Sequence, residues 1–228
     1  ICVILEENMK IVRDWLFKIL LLSSIPALAS SSAALFGGFE SKPEKGQISF
    51  SNPGYEISHI IKDGAPFIKP EMEGAGSKSE PGQPDLPTMS TYYAVEPGKI
   101  FTINASIKES EVIENVEVVP FETWNSQPTG VIEKGVTYQQ SSSFPANIAT
   151  VSDPMVFRDI VMVQVSVTPF QYNPVSKTLT VIQNVDLELV ESGETELPHI
   201  PQKKSREFEK LYKSLVVNYP STVREGDD

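Results

Sequence analysis

The stretch VMVQVSVTPFQYNPVSKTLTVIQNVDLELVE, residues 161 to 191, decides the fold class. Val161, Val163, Val165 and Val167 alternate with Met162, Gln164, Ser166 and Thr168, the period of two that lines one face of a strand with apolar side chains. In a second arm Leu179, Val181, Val185, Leu187 and Leu189 share one face, and Thr178, Thr180, Asn184, Asp186 and Glu188 share the other. Between the arms Pro169 removes a backbone donor, and Tyr172, Asn173, Pro174, Ser176 and Lys177 supply a reversal. The pattern predicts one long antiparallel hairpin with a shared apolar face. Such a face needs a second layer, so the chain is expected to be mainly β, folded as an antiparallel β-sandwich.

Working toward the N-terminus, further strands are expected. Residues 112 to 119 (VIENVEVV) read as a strand, and MSTYYAV (89 to 95) and IFTINAS (100 to 106), joined by Glu96, Pro97, Gly98 and Lys99, read as a second hairpin. Tyr55, Ile57, His59 and Ile61 alternate with Glu56, Ser58, Ile60 and Lys62 and stop at Asp63 and Gly64, which predicts a first strand. The glycine- and proline-rich loop from Gly74 to Pro84 is expected to be flexible. Residues 121 to 146 form a long irregular crossing, either a loop between sheets or a functional excursion. Beyond Pro198 and Pro201, Phe208, Leu211, Tyr212, Leu215, Val216 and Tyr219 fall on one helical face. Ser205 is placed to cap this single C-terminal amphipathic helix and Pro220 to stop it.

The N-terminal end reads as a targeting segment. Met9, Lys10 and Arg13 precede the apolar run from Trp15 to Leu22, and a small-residue tract follows with Ala29, Ala33 and Ala34 as alternative cleavage points. This is the composition of a secretory signal peptide, with Ile1 to Asn8 as upstream residues. Membrane contact is then confined to export. Cys2 is the one cysteine and falls in the discarded segment, so neither a disulfide framework nor a cysteine nucleophile is expected in the mature chain. The expected organisation is upstream residues and signal peptide over 1–34, a mobile lead-in over 35–54, a β-sandwich domain over 55–195, and a linker with the amphipathic helix over 196–228.

The 228 residues carry 19 Lys and Arg against 30 Asp and Glu, a net charge of -11. Nucleic acid is thereby excluded as a partner, because phosphate neutralisation requires clustered basic residues. His59 sits in a predicted strand and His199 between two prolines, neither of them a setting for an acid or base. Ser141, Ser142 and Ser143 lack a nucleophile elbow, and no metal or phosphate motif occurs. No cofactor is expected, and the chain reads as a non-enzyme.

Two segments bear a resemblance. GQPDLPTMSTYYAVEPG (82 to 98) has a Gly-x-Pro-x-Leu-Pro leader into a strand, and VFRDIVMVQVSVTPFQYNPVSKTLTVIQNVDLELVE (156 to 191) has an arginine ahead of a valine-rich strand and a Pro-x-x-Tyr-Asn-Pro turn. From about Tyr55 onward the chain resembles the N-terminal propeptide domain of gingipain-type cysteine peptidases, which have a caspase-like fold. The resemblance implies a bacterial, secreted β-sandwich propeptide that aids folding, keeps the peptidase latent and is removed by proteolysis. Its partner would be the cognate peptidase domain in cis, with the catalytic cysteine and histidine expected beyond Asp228. If that peptidase prefers basic side chains, Arg158 and Lys134 are the candidate inhibitory contacts; a structural pairing of Arg158 with Asp159 or another sheet carboxylate, and a merely solvated Lys134, are the competing readings. The alternative function is a secreted sandwich module for adhesion or carbohydrate binding, with Trp124, Tyr138 or Phe144 stacking on sugars.

Overall fold

The computed structural model describes residues 37–122, 133–196 and 208–219. The expected signal peptide lies outside them. In chain order the strands are β1 (Phe39–Ser41), β2 (Gln47–Ser51), β3 (Glu56–Lys62), β4 (Ala65–Glu71), β5 (Gly76–Ser77), β6 (Pro87–Ala94), β7 (Lys99–Ile113), β8 (Ala149–Val151), β9 (Met155–Phe157), β10 (Ile160–Val167), β11 (Phe170–Asn173) and β12 (Thr178–Glu194), followed by the helix α1 (Glu209–Leu215).

Two five-stranded antiparallel sheets face each other. In the first, β12 is central, with β7 along one side and β2 and β11 in line along the other; β1 extends the sheet beyond β2. In the second, β10 is central, flanked by β6 on one side and by β8 and β9 on the other, with β5 beyond β6. Val163, Val165 and Val167 from β10 and Leu179, Val181 and Leu187 from β12 are fully buried between the layers. Each such side chain contributes about 1.5–3 kcal/mol by leaving water. Near Gln183 the pairing of β12 with β7 shifts register in one direction and then back. The odd-numbered apolar positions of β12 therefore keep facing the core, as their spacing predicted.

The expected hairpin is nevertheless divided. Its first arm is β10 in the second sheet, its second arm is β12 in the first, and Thr168 and Pro169 carry the chain across. The true hairpin is the short β11–β12 pair, in which Phe170 lies opposite Val181 and Asn173 opposite Thr178. The Glu96–Lys99 corner is a second crossing: β6 pairs with β10 and β7 with β12, so this too is no hairpin. Alternation identifies a buried face, and both sheets bury the same kind of face, so the sequence pattern cannot assign partners across a proline corner. Residues 112 to 119 are not a separate strand either. The first two close β7, Asn115 takes a φ of 58°, and Val118 makes an isolated bridge with Ile68.

The expected lead-in over 35–54 contains β1 and β2, whose Phe39, Ile48 and Phe50 are 0% exposed. The glycines and lysines there mark turns around short strands that fill the core. The first predicted strand is β3, and Asp63 and Gly64, both at positive φ, turn it into β4. This pair stands apart as a two-stranded sheet whose Ile68 reaches the core.

The helix packs on the sandwich. Tyr212, Val216 and Tyr219 bury against Ala94 of β6 and Met162 of β10, on the face of the second sheet turned away from the main core. It is shorter than its pattern: Val216 is already extended, and Leu211 is 37% exposed. It ends there because the next residues pair with β6. Val217 N–H donates to the Tyr92 carbonyl (2.9 Å), and the Asn218 amide accepts from Ala94 N–H (2.8 Å) and donates to its carbonyl (3.0 Å). The predicted cap Ser205 lies outside the described residues, and Phe208 holds the N-cap position without a side-chain bond.

Candidate functional site

Phe121 and Gly135, on either side of the undescribed part of the expected crossing, are both bonded to a single residue, Gly82. On the outward side Val119 N–H donates to the Ile68 carbonyl (2.9 Å) and Asp85 N–H to the Val119 carbonyl (2.9 Å). Phe121 N–H then donates to the Gln83 carbonyl (2.7 Å), and Gly82 N–H to the Phe121 carbonyl (3.0 Å). On the return Gly135 N–H donates to the Gly82 carbonyl (2.8 Å). Gly82 has a φ of 83°, and a Cβ on it would stand 3.0 Å from the Gly135 nitrogen. Glycine is required here because a side chain would meet both the left-handed backbone and the returning chain at Gly135.

The Gly74 to Pro84 loop, expected to be flexible, is therefore the clamp of the crossing. Its own bonds stiffen it: the Ser79 hydroxyl donates to the Pro84 carbonyl (2.6 Å), and Glu80 N–H to the Gln83 side chain (2.8 Å). Loop composition reports low burial and is blind to backbone pairing with a distant segment.

Lys134 stands at the exit of the excursion. Its ammonium pairs with Glu117 and lies 5.2 Å from the Phe67 ring centroid and 5.6 Å from that of Tyr138. Lys177 holds the other Glu117 oxygen at 3.2 Å. Burial raises the Glu117 pKa, but the two ammonium groups outweigh it and hold the carboxyl below its usual value. At the entry Lys62, at the tip of the β3–β4 hairpin, pairs with Glu122 at 2.7 Å.

Arg158 is elsewhere. It begins the two-residue turn between β9 and β10 with a φ of 59°, and its guanidinium lies 3.6 Å from the ring centroid of Phe208, just before α1. Beside it Asp159 accepts a hydrogen bond from the Tyr212 hydroxyl. Burial, then that bond, push the Tyr212 pKa up to about 12. Arg158 is exposed but committed to a cation–π contact. The described structure gives it no carboxylate, so its expected pairing with Asp159 is replaced by Phe208.

Two of the side chains expected to stack on sugars, Tyr138 and Phe144, are otherwise engaged. Tyr138 donates its hydroxyl to the Val118 carbonyl (2.7 Å) and packs on Tyr172, with ring centroids 6.2 Å apart. Burial leads the causes that push its pKa up. Phe144 bridges backbone to backbone with Tyr172 and packs against the core. Trp124 lies outside the described residues, as does His199; His59 is exposed on β3. Sequence reasoning missed Gly82, Glu117 and Asn218. The one signal available for Gly82 was its place at the head of the Gly-x-Pro-x-Leu-Pro leader.

Comparison with known proteins places this architecture. Gingipain R2 of Porphyromonas gingivalis is 31% identical over 158 residues, 63% of this chain and 20% of that protein. Gingipain R1 of the same species is 34% identical over 149 residues, 62% of this chain and 15% of that protein. The chain thus spans a fifth or less of these relatives. Among solved structures, a chain of the complex of P. gingivalis RgpB pro- and mature domains superposes with a TM-score of 0.67 at 26% identity, covering 81% of this chain and 98% of that one. A structure concerned with the zymogenic latency of P. gingivalis gingipain K shares the fold, with a TM-score of 0.50 at 20% identity over 66% of this chain and 90% of that one. The Propeptide_C25 family model matches residues 40–225. The match is to a propeptide and not to a catalytic domain, so this chain is not itself the peptidase. Matched from its first strand to beyond its terminal helix, the chain belongs to the Propeptide_C25 family, the gingipain-type propeptides that its motifs resemble.

Proposed function

We propose that this chain is the propeptide of a secreted, bacterial gingipain-type cysteine endopeptidase, which it helps to fold, holds latent and leaves by proteolysis. The observation that carries this reading is the likeness to the RgpB complex of pro- and mature domains, which takes in 98% of that chain. The excursion between Phe121 and Gly135 is the element offered to the peptidase cleft. Both its described ends are fixed on Gly82, and a firmly based loop loses less entropy on docking.

Of the two candidate inhibitory contacts, Lys134 stands at the exit of this excursion, whereas Arg158 belongs with α1 and serves to hold the helix. The test is titration of the purified chain against the peptidase domain of its own precursor. Tight, saturable inhibition is expected, weakened by Lys134→Ala and little changed by Arg158→Ala. Absence of inhibition by the folded chain would remove the latency role.

A further inference from the structure

The outer edge of β6 is capped at both ends and open in the middle. At one end β5 places Gly76 opposite Thr88; at the other, Tyr92 and Ala94 are bonded to Val217 and Asn218. Those bonds show that the even-numbered peptide groups of β6 face outward, since strand backbone groups alternate sides. Ser90 is the even position between the caps, and among the described residues its N–H and carbonyl have no backbone partner on that side.

A cavity of about 560 Å³ lies along this gap. Besides Ser90, its lining includes Pro53, Gly54, Glu73, Gly74, and Ser214 and Leu215 of α1. Thr91 lines it too: that residue is 5% exposed, and its hydroxyl is the one buried side-chain polar atom among the described residues without a hydrogen-bond partner. Glu73 is shared with an adjoining cavity of about 570 Å³ that also holds Glu56 and Glu71. Glu71 is engaged by Ser58 (2.7 Å) and Lys69 (3.4 Å), while Glu56 and Glu73 have no ion-pair partner among the described residues.

We propose that this slot takes an extended segment of the peptidase partner as an added strand on β6, with its backbone paired to Ser90 and a Lys or Arg side chain directed at Glu73. The inference rests on the propeptide reading. Unpaired edge groups supply the affinity of such strand addition. The carboxylates of Glu73 and Glu56 select the basic residue by charge complementarity.

The experiment compares the full chain with its Ser90→Pro, Ser90→Ala and Glu73→Lys variants, by affinity for the peptidase domain and by amide hydrogen exchange. Proline at Ser90 removes the outward donor together with the hydroxyl contact to Ser166 and leaves the β6–β10 ladder intact; alanine removes the same hydroxyl contact but keeps the donor. Expected are a tenfold or greater loss of affinity for Ser90→Pro, a threefold or greater loss for Glu73→Lys, little change for Ser90→Ala, and at least tenfold slower exchange at the Ser90 amide in the complex. Unchanged exchange at Ser90, or equal losses for proline and alanine, would overturn the proposal while inhibition by the parent chain kept the propeptide reading intact. A parent chain that binds no peptidase sinks both. A dimer of the chain alone that Ser90→Pro dissociates would assign the slot to a second copy and overturn the proposal as well.

Discussion

Gly82 holds two backbone bonds at a φ that costs any other L-residue about 1–2 kcal/mol, before the contact of a new Cβ with Gly135 is counted. Gly82→Ala is therefore expected to destabilise the domain by about 1–3 kcal/mol. It should also loosen the base of the excursion selectively. Limited proteolysis checks this: cleavage between Phe121 and Gly135 should accelerate well before cleavage elsewhere, and uniform acceleration would mean that Gly82 merely supports the fold. Glu117 adds a pH dependence at the same base. Its folded pKa is lowered, so its contribution is present above the unfolded value of about 4.3 and is lost as pH falls through the lower folded value. Glu117→Gln should flatten the fall of the thermal midpoint between about pH 5 and pH 3, and an unchanged acid limb would contradict it. Neither residue was legible as part of a site. Each acts through partners distant in sequence, and a glycine in a loop or a glutamate beside valines has no pattern that names those partners.

At the scale of an element, α1 is held by its flanks more than by its own seven residues, a length far below what is stable alone. Its apolar face was readable from spacing, whereas its end was not, because Asn218 bonds to a strand 124 residues earlier. Asn218→Ala leaves both outward groups of Ala94 without these partners, at about 1–3 kcal/mol for each one that stays dry. Faster amide exchange at Ala94 than at the β6–β10 ladder is the expected signature; equal protection would show that water replaces the amide. Tyr212 makes the same attachment sensitive to alkali. Its folded pKa, near 12, lies above the unfolded value of about 10, so its contribution is complete below about pH 10 and is lost as pH rises toward 12. Tyr212→Phe removes the bond to Asp159, and should lower the thermal midpoint at neutral pH while shrinking its further drop between about pH 10 and pH 12. Tyr55 and Tyr172, whose pKa values also rise to about 12, keep a residual alkaline limb.

Across the whole molecule the two crossings, at Pro169 and at Glu96–Lys99, stitch the sheets into one core. The crossing at Pro169 joins β10, central in one sheet, to the β11–β12 hairpin, whose longer strand is central in the other. The alternation of valines and leucines established that there were two layers, because a single sheet leaves that face wet; the assignment of strands to layers waited on the corners, where alternation stops. This stitching has a thermodynamic consequence. Phe170, the first residue after the Pro169 crossing, is 0% exposed and meets Tyr55 edge-on with ring centroids 5.5 Å apart. Removing its ring in Phe170→Ala is expected to cost about 3–5 kcal/mol. Because the core is common to both sheets, the loss should fall on both at once. Urea unfolding followed by far-ultraviolet dichroism and by tyrosine fluorescence should move to a lower midpoint as one coincident transition. Two separated transitions would mean that the sheets fold as independent units and that the crossings link them without coupling them.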